Sequence, residues 1–591
     1  MKPRFKYAFC AVLTACTLFS GVAFGRPPVT SVSNDQNPID GAMVMMEPLT
    51  VGKGNIIGGF LGKTLNIPKT VKISDAGFLV FSLSSDAMQV MPADAKGYHI
   101  KTVMPYLNDS KEMKDSLRLR RTARQIRFQA LKDAIAKAEG LNAEQKKAVA
   151  SFLSQSVGTP VVLMAKSPLP AFMPSPGPCM VPMGAEMVEN KTGNRLGIET
   201  SMICVLDIES EGKKLFSVED ALNNDTLDLV IAHENGHAIM FDMYGKLFQK
   251  IQRTSSNGHD APIITDVGLA YVEGWAEAFE AVYGPANPKL AEKDRKKYNI
   301  SEFLYGRQDP IRRDRYVWAS NVGKKTGVLK NGLQLMSTEG VIAGHLHDIM
   351  TSRAINAPFE KCIQTMLTAP MNFMEFVDNY VKLFPDDKKV MYRILLENTH
   401  YVTMDAQAAA NYKNYYEQKV AFTQKKVSKE EFNKVKTSYK AYTEDLFKKA
   451  MENNAVFANV GPQMWFAGKI NLSKLKQEAG NVKKYLASAF GKKDQFYEFR
   501  LDLNTATVDM FRMIGFAEAD AAKLVGAREE KGFFKGNPVT IIKDLLGGER
   551  FDKYNAVLNL APYNHQQADA VAQYKEQSLA LWPEDIAKMS R

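Results

Sequence analysis

The sequence predicts an α+β fold, mainly α, in which short strands come before the most apolar helices and further helices follow. Three observations carry this. Alternating apolar runs bounded by turn residues occur in the first 210 residues, as at Val71 to Val90 and Thr200 to Asp207. Beyond Tyr283, apolar residues recur mostly at helical spacing. A chain of 591 residues is also too long for one core, so about two to four domains are expected. Hydrophobic content of 45% with 24% charged residues is ordinary for a globular chain.

At the start, Lys2, Arg4 and Lys6 precede an apolar run from Tyr7 to Gly25 that closes on the small residues Ala23 and Gly25. Residues 1–25 therefore have the pattern of a signal peptide, and the mature chain is expected to be secreted or periplasmic. Leu13-Thr14-Ala15-Cys16 also fits a lipoprotein cleavage box, although the residues after Cys16 stay apolar where a polar tether is usual. The same run could barely cross a bilayer as an uncleaved anchor. No later stretch reaches about 18 unbroken apolar residues, so no stable membrane span is expected in the mature chain. Residues 26–55, rich in Pro, Gly, Ser, Asn and Met, have no period and suit a linker or pro-segment.

An exported chain permits disulfides. Past the signal, three cysteines remain, and Cys179 with Cys204, flanking a segment rich in Pro and Gly, form the favoured pair. Cys362 is then left free or buried. The formal net charge of +11 falls by three with the signal, and much of the rest lies in helical runs, Lys111 to Arg127 and Lys413 to Lys449. Both runs are expected to be solvated faces.

Residues 56–215 form an N-terminal α+β region. Val71 to Val90 suggests strands turning at Asp75-Ala76-Gly77. Lys111 to Gln155 suggests two helices, with Leu117, Ile126, Leu131 and Ile135 in helical register, a break at Gly140, and Asn142 opening Ala143 to Leu153. Val161 to Ala165 and Thr200 to Asp207 read as strands on either side of a Pro-rich loop, giving a small mixed sheet.

Chemistry enters at Asp228 to Met240, DLVIAHENGHAIM. His233 and His237, four apart on a helix, point the same way and can hold one metal ion. The surrounding residues are apolar nearly all round, so the helix is buried, and two imidazoles and a carboxylate in it need a partner. Zinc suits neutral imidazole, and Glu234 can reach a metal-bound water as general base. A third ligand is needed, and the next helical stretch, YVEGWAEAFE, offers Glu273 with Glu277 one turn on; Glu280 and His259 also stand within reach.

HENGH followed by EGWAE resembles the paired motifs of the gluzincin metallopeptidases, although the interval between them is longer here. The resemblance implies a zincin-like body, with a small mixed sheet before the active-site helix and a helical subdomain after it, over residues 216–490. It implies one zinc ion per chain on His233, His237 and Glu273, Glu234 as catalytic base, and Glu277 orienting a ligating imidazole. In several gluzincins a helical-subdomain side chain steadies the oxyanion, which makes His345 or His347 in GVIAGHLHDIM catalytic candidates. A histidine on an apolar helix is otherwise a core residue. Phe373 to Asn398 gives two more helices, broken at Pro385.

Residues 496–562 form a separate unit. LNTAT, Gly515 and AAKLVGAREEKGFF resemble the helix-hairpin-helix domains of the competence protein family, which implies a small all-α domain. In that family hairpin amides approach a DNA phosphate. Here the first hairpin lacks its second glycine, and acids match bases across the unit, which argues against DNA binding. Residues 563–591 form a tail. The function expected is an exported zinc metallopeptidase acting on a protein or peptide substrate. The alternative is a non-catalytic envelope or nucleic-acid adaptor with a degenerate peptidase body.

Overall fold

The structure, a computed structural model, describes the chain most continuously over 332–457 and much of 501–560, and earlier chiefly through the elements named here. The described part is mostly helical. The signal, the 26–55 segment apart from one short strand, His259, the tail and most of the helix expected from Ala143 lie outside the described residues.

Among the described residues eight strands precede the apolar helices: β1 Val44–Met46, β2 Phe78–Leu83, β3 Val90–Met91, β4 Val161–Met164, β5 Cys179–Val188, β6 Arg195–Cys204, β7 Ile208–Ser210 and β8 Lys213–Phe216. Six form a mixed sheet in the order β1-β5-β6-β4-β2-β3, with β2–β4 and β4–β6 parallel and the other pairs antiparallel. Where the sequence suggested a Pro-rich loop, β5 and the first half of β6 form a long hairpin. Pro182, Gly184 and Gly197 hid it, because both residue types depress strand pattern. In its register Cys179 lies opposite Cys204, the backbone placement that the expected disulfide requires.

The helices are α1 Lys111–Lys137, α2 Val218–Asn223, α3 Leu227–Tyr244, α4 Val267–Tyr283, α5 Gly332–Met336, α6 Glu339–Met350, α7 Pro358–Met366, α8 Phe373–Leu383, α9 Lys388–Asn398, α10 Ala406–Thr423, α11 Lys429–Asn453, and α12 to α15 at Val508–Met513, Glu518–Lys531, Pro538–Leu546 and Gly548–Tyr554. The break between α8 and α9 falls at Pro385, which opens a single 3₁₀ turn. Asn372 and Asp405 cap α8 and α10 by accepting from Glu375 and Ala408 amides.

At the centre lie α3 and α4. Every residue from Ile231 to Tyr244 and from Val267 to Ala281 is buried, so both helices are enclosed on all sides. The sheet side, α1, α6 and α7 surround them. On α1 the solvated face expected of the basic run is corrected. Arg120 and Arg124 are buried with Ser116, Leu119 and Ala123 in one stripe against α3. Both converge there on Asp242: Arg120 Nε donates to its carboxylate at 2.8 Å and Arg124 Nη1 at 3.2 Å. Burial alone would raise the Asp242 carboxyl, but Arg120 and Arg124 outweigh it and hold the group below the ordinary aspartate range. Cys362 is buried and free, with its thiol pushed far up by desolvation.

Candidate metal centre

The site is built by two helices that approach closely because glycine stands where they meet. A Cβ on Gly236 would lie 3.0 Å from the Cα of Ala276, and one on Gly274 would lie 2.8 Å from Ile342 of α6. Larger residues would push the helices apart. Trp275 Nε1 donates to the Gly236 carbonyl at 2.8 Å, locking the crossing at the same level. Residue numbers fall along α3 as they rise along α4 (237 with 273, 236 with 276, 233 with 280), so the helices run antiparallel.

This crossing carries the carboxylate of Glu273 to both histidines. Its Oε2 lies 3.3 Å from His237 Nε2 and 3.6 Å from His233 Nε2, and the two rings meet edge to face with centroids 4.9 Å apart. A tetrahedral ion with bonds of about 2.1 Å holds its ligand atoms about 3.4 Å apart. Two imidazole nitrogens and a carboxylate oxygen at this spacing, all buried, are a donor set that fits zinc.

The other nitrogen of His233, Nδ1, lies 3.2 Å from Glu280 Oε2. The orienting contact expected of Glu277 is thus made for His233 by Glu280, two turns beyond Glu273 instead of one. The antiparallel crossing explains this, because seven residues along α4 bring the chain level with the far side of the His233 ring. Glu277 is buried beside them, and its carboxylate forms with His233 and Glu280 a second grouping whose ligand atoms lie within 4.8 Å of one another. Glu280, read from sequence as an alternative ligand, has a legible signal for this second role: acids at 273, 277 and 280 repeat at i, i+4 and i+7 on an otherwise apolar helix.

Glu234 is buried next to the triad. Burial raises its carboxyl pKa, opposed by His233, His237 and a hydrogen bond from the Met180 backbone amide of β5. Desolvation pulls His233 down, yet hydrogen bonds to Glu273 and Glu280 outweigh it and leave the imidazole well above its ordinary value. Glu280 is raised by burial, against its bond to His233, with Glu339 at the start of α6 adding to the rise.

No protein-family profile matches the chain, and no curated protein or solved structure does either.

The two helical-subdomain histidines sit in different settings. His345 is fully buried and stacks on Phe373, ring centroids 5.5 Å apart and planes 7° from parallel, within an aromatic group that includes Tyr271 and Phe376. That is the core environment of a packing residue. His347 is half-buried, its Nδ1 3.0 Å from Asp348, which also accepts from Asn398. These contacts tie α6 to α9. The oxyanion role considered for both gains no support from them.

Proposed function

We propose that this chain is an exported zinc-dependent metallopeptidase of gluzincin type, hydrolysing peptide bonds in proteins or peptides within a zincin-like body. The observation that carries the proposal is the meeting of His233, His237 and Glu273 at tetrahedral spacing beside Glu234. A second support is electrostatic. Five buried carboxylates, Glu234, Glu273, Glu277, Glu280 and Glu339, gather around two imidazoles on α3, α4 and α6, an enclosure that favours a cation.

When bound, zinc supplies a Lewis acid that acidifies a water and polarises the scissile carbonyl. His233 and His237 hold it through Nε2, and Glu273 through its carboxylate. Glu280 accepts the Nδ1 proton of His233, which fixes the tautomer and leaves Nε2 as the free donor atom. Glu234 takes the proton of the attacking water and delivers it to the leaving amine. Its carboxylate is aimed by the Met180 amide, at the end of β5 that β1, paired only at Ala185 to Met187, does not cover among the described residues, and an extended peptide can run along the strand there.

The C-terminal unit is read as a packing or protein-interaction module. In its first hairpin two described amides are engaged: Phe516 donates to the Phe511 carbonyl and Ala517 to Tyr554 Oη. Arg528 is turned inward onto the Leu503 and Ala506 carbonyls. These groups are thereby occupied within the unit instead of facing a phosphate.

The test is hydrolysis of an unfolded protein by the zinc-loaded chain and by Glu234→Gln. The variant is expected to keep its zinc and lose about 100-fold or more in turnover. Equal activity in the two rejects the role of Glu234, and a zinc-loaded chain that cleaves nothing supports the adaptor reading.

A further inference from the structure

Helices α10 and α11 fold back on each other around residues 424–428, and from Lys413 to Tyr442 no residue is buried. The pair is an arm. Its base is fixed: Trp318 packs on Tyr412 and Tyr416, Tyr439 Oη donates to the His400 carbonyl at 2.8 Å, and Arg393 makes two bonds to Glu444. Outward from there, the two helices are joined by a ladder of rings: Tyr415 on Tyr439 at 4.6 Å, Tyr415 on Phe432 at 5.9 Å and Phe422 on Phe432 at 5.0 Å. Stacked rings stiffen a hairpin that has no other core.

The far end of this arm has two properties that a merely solvated face lacks. Phe422 is 36% exposed at the turn, one of two large hydrophobic residues so exposed among the described residues. Around it the charge is one-sided. Between Lys413 and Lys440, eight lysines stand against three acids, Glu417, Glu430 and Glu431. Glu431 is already engaged in a capping box with Ser428.

We propose that the tip of this arm, with Phe422 set among Lys419, Lys425 and Lys426, docks on an anionic lipid surface. The lysines complement phosphate headgroups at the ends of long apolar stems, and the phenyl ring reaches the boundary between headgroups and acyl chains. An acidic protein would satisfy the charge but gives no reason for an apolar ring with one face open at the apex. The inference is independent of the peptidase proposal, since no residue of the arm belongs to the metal centre.

The test is co-sedimentation of the full chain with phosphatidylcholine vesicles with and without phosphatidylglycerol, at physiological salt. The chain is expected to bind the anionic vesicles more tightly, with the difference shrinking as salt rises. Each lysine near such a surface multiplies affinity about five-fold, so K425E with K426E should cut the phosphatidylglycerol-dependent part by about 25-fold or more. Phe422→Ala should cut it about ten-fold, because a partly inserted ring is lost. All variants should keep the parent's circular dichroism, and the lysine variants its melting temperature; Phe422→Ala loses one stack at the tip of the arm and leaves the stacks of Tyr415 on Tyr439 and Phe432 in place. Equal binding to both vesicle types, or variants that bind as the parent does, overturns the proposal. Retention on duplex DNA without retention on anionic vesicles overturns it in favour of a nucleic-acid surface.

Discussion

On one face of α3, His233 and His237 meet carboxylates from α4; about 180° around the same helix, Asn235 and Asp242 meet α1. Asn235 donates to the Ser116 carbonyl and hydroxyl, and Asp242 accepts from Arg120 and Arg124. Both faces bury charge. On the α1 face, the one acid, Asp242, is met by two guanidiniums of this chain, so its counter-charge is supplied by folding alone. On the α4 face, Glu273, Glu277 and Glu280 gather beside two imidazoles, and the counter-charge proposed for them is an ion from outside. With the proposed zinc in place, a single helix has a structural use of buried charge on one face and a chemical one on the other.

The largest stability effect is expected on the α1 face. Asp242→Asn leaves Arg120 and Arg124 buried without their counter-charge and should cost about 3–5 kcal/mol, read from denaturant unfolding, while zinc per folded chain stays unchanged. Zinc lost in proportion to the chain's folded fraction keeps the distinction; zinc lost from fully folded chain would erase it. The acid dependence has a definite sign. Asp242 has its pKa lowered by folding, so its contribution is fully present above the ordinary aspartate value of about 4 and is lost as pH falls through the lowered folded value. The parent should therefore lose stability over that acid range more steeply than Asp242→Asn.

A smaller effect is expected on the α4 face when the ligands are left in place. Glu280→Ala removes the partner of His233 Nδ1 and should weaken zinc retention by about 10 to 100-fold in competition with a chelator. Glu277→Ala should weaken it less. The reverse order would return the orienting role to Glu277. The smallest effect concerns the C-terminal unit: the segment Asp494 to His565 should bind duplex DNA no better than background at physiological salt. A tight complex with steep salt dependence would show that its inward-turned Arg528 and committed hairpin amides had been misjudged.

The two faces were not equally legible. HENGH and EGWAE stand out because His233 with His237 and Glu273 with Glu277 recur at one-turn intervals on otherwise apolar helices. Even Glu280 follows the i+7 rule from Glu273, although only the direction in which α4 crosses α3 decides which acid reaches which nitrogen. The α1 clamp left no such trace. Arg120 and Arg124 sit in a basic run that looks solvated, and their partner Asp242 lies more than 115 residues away in sequence. Gly236 and Gly274 carried a hidden message too, since a glycine inside a helix reads as a weakness until the neighbouring backbone is seen against it. The helices from Gly332 to Asn453 were easier, because Pro385 and their caps mark the ends. His345 and His347 had residue type alone to recommend them.

The central claim is that the α4 face of α3 is completed by one zinc ion held through Glu273. Elemental analysis of the purified chain and of Glu273→Ala, both prepared under metal-replete conditions, tests it most directly. The account predicts one zinc per parent chain and none above background in the folded variant; a parent without zinc, or a variant that keeps a full equivalent, would contradict it.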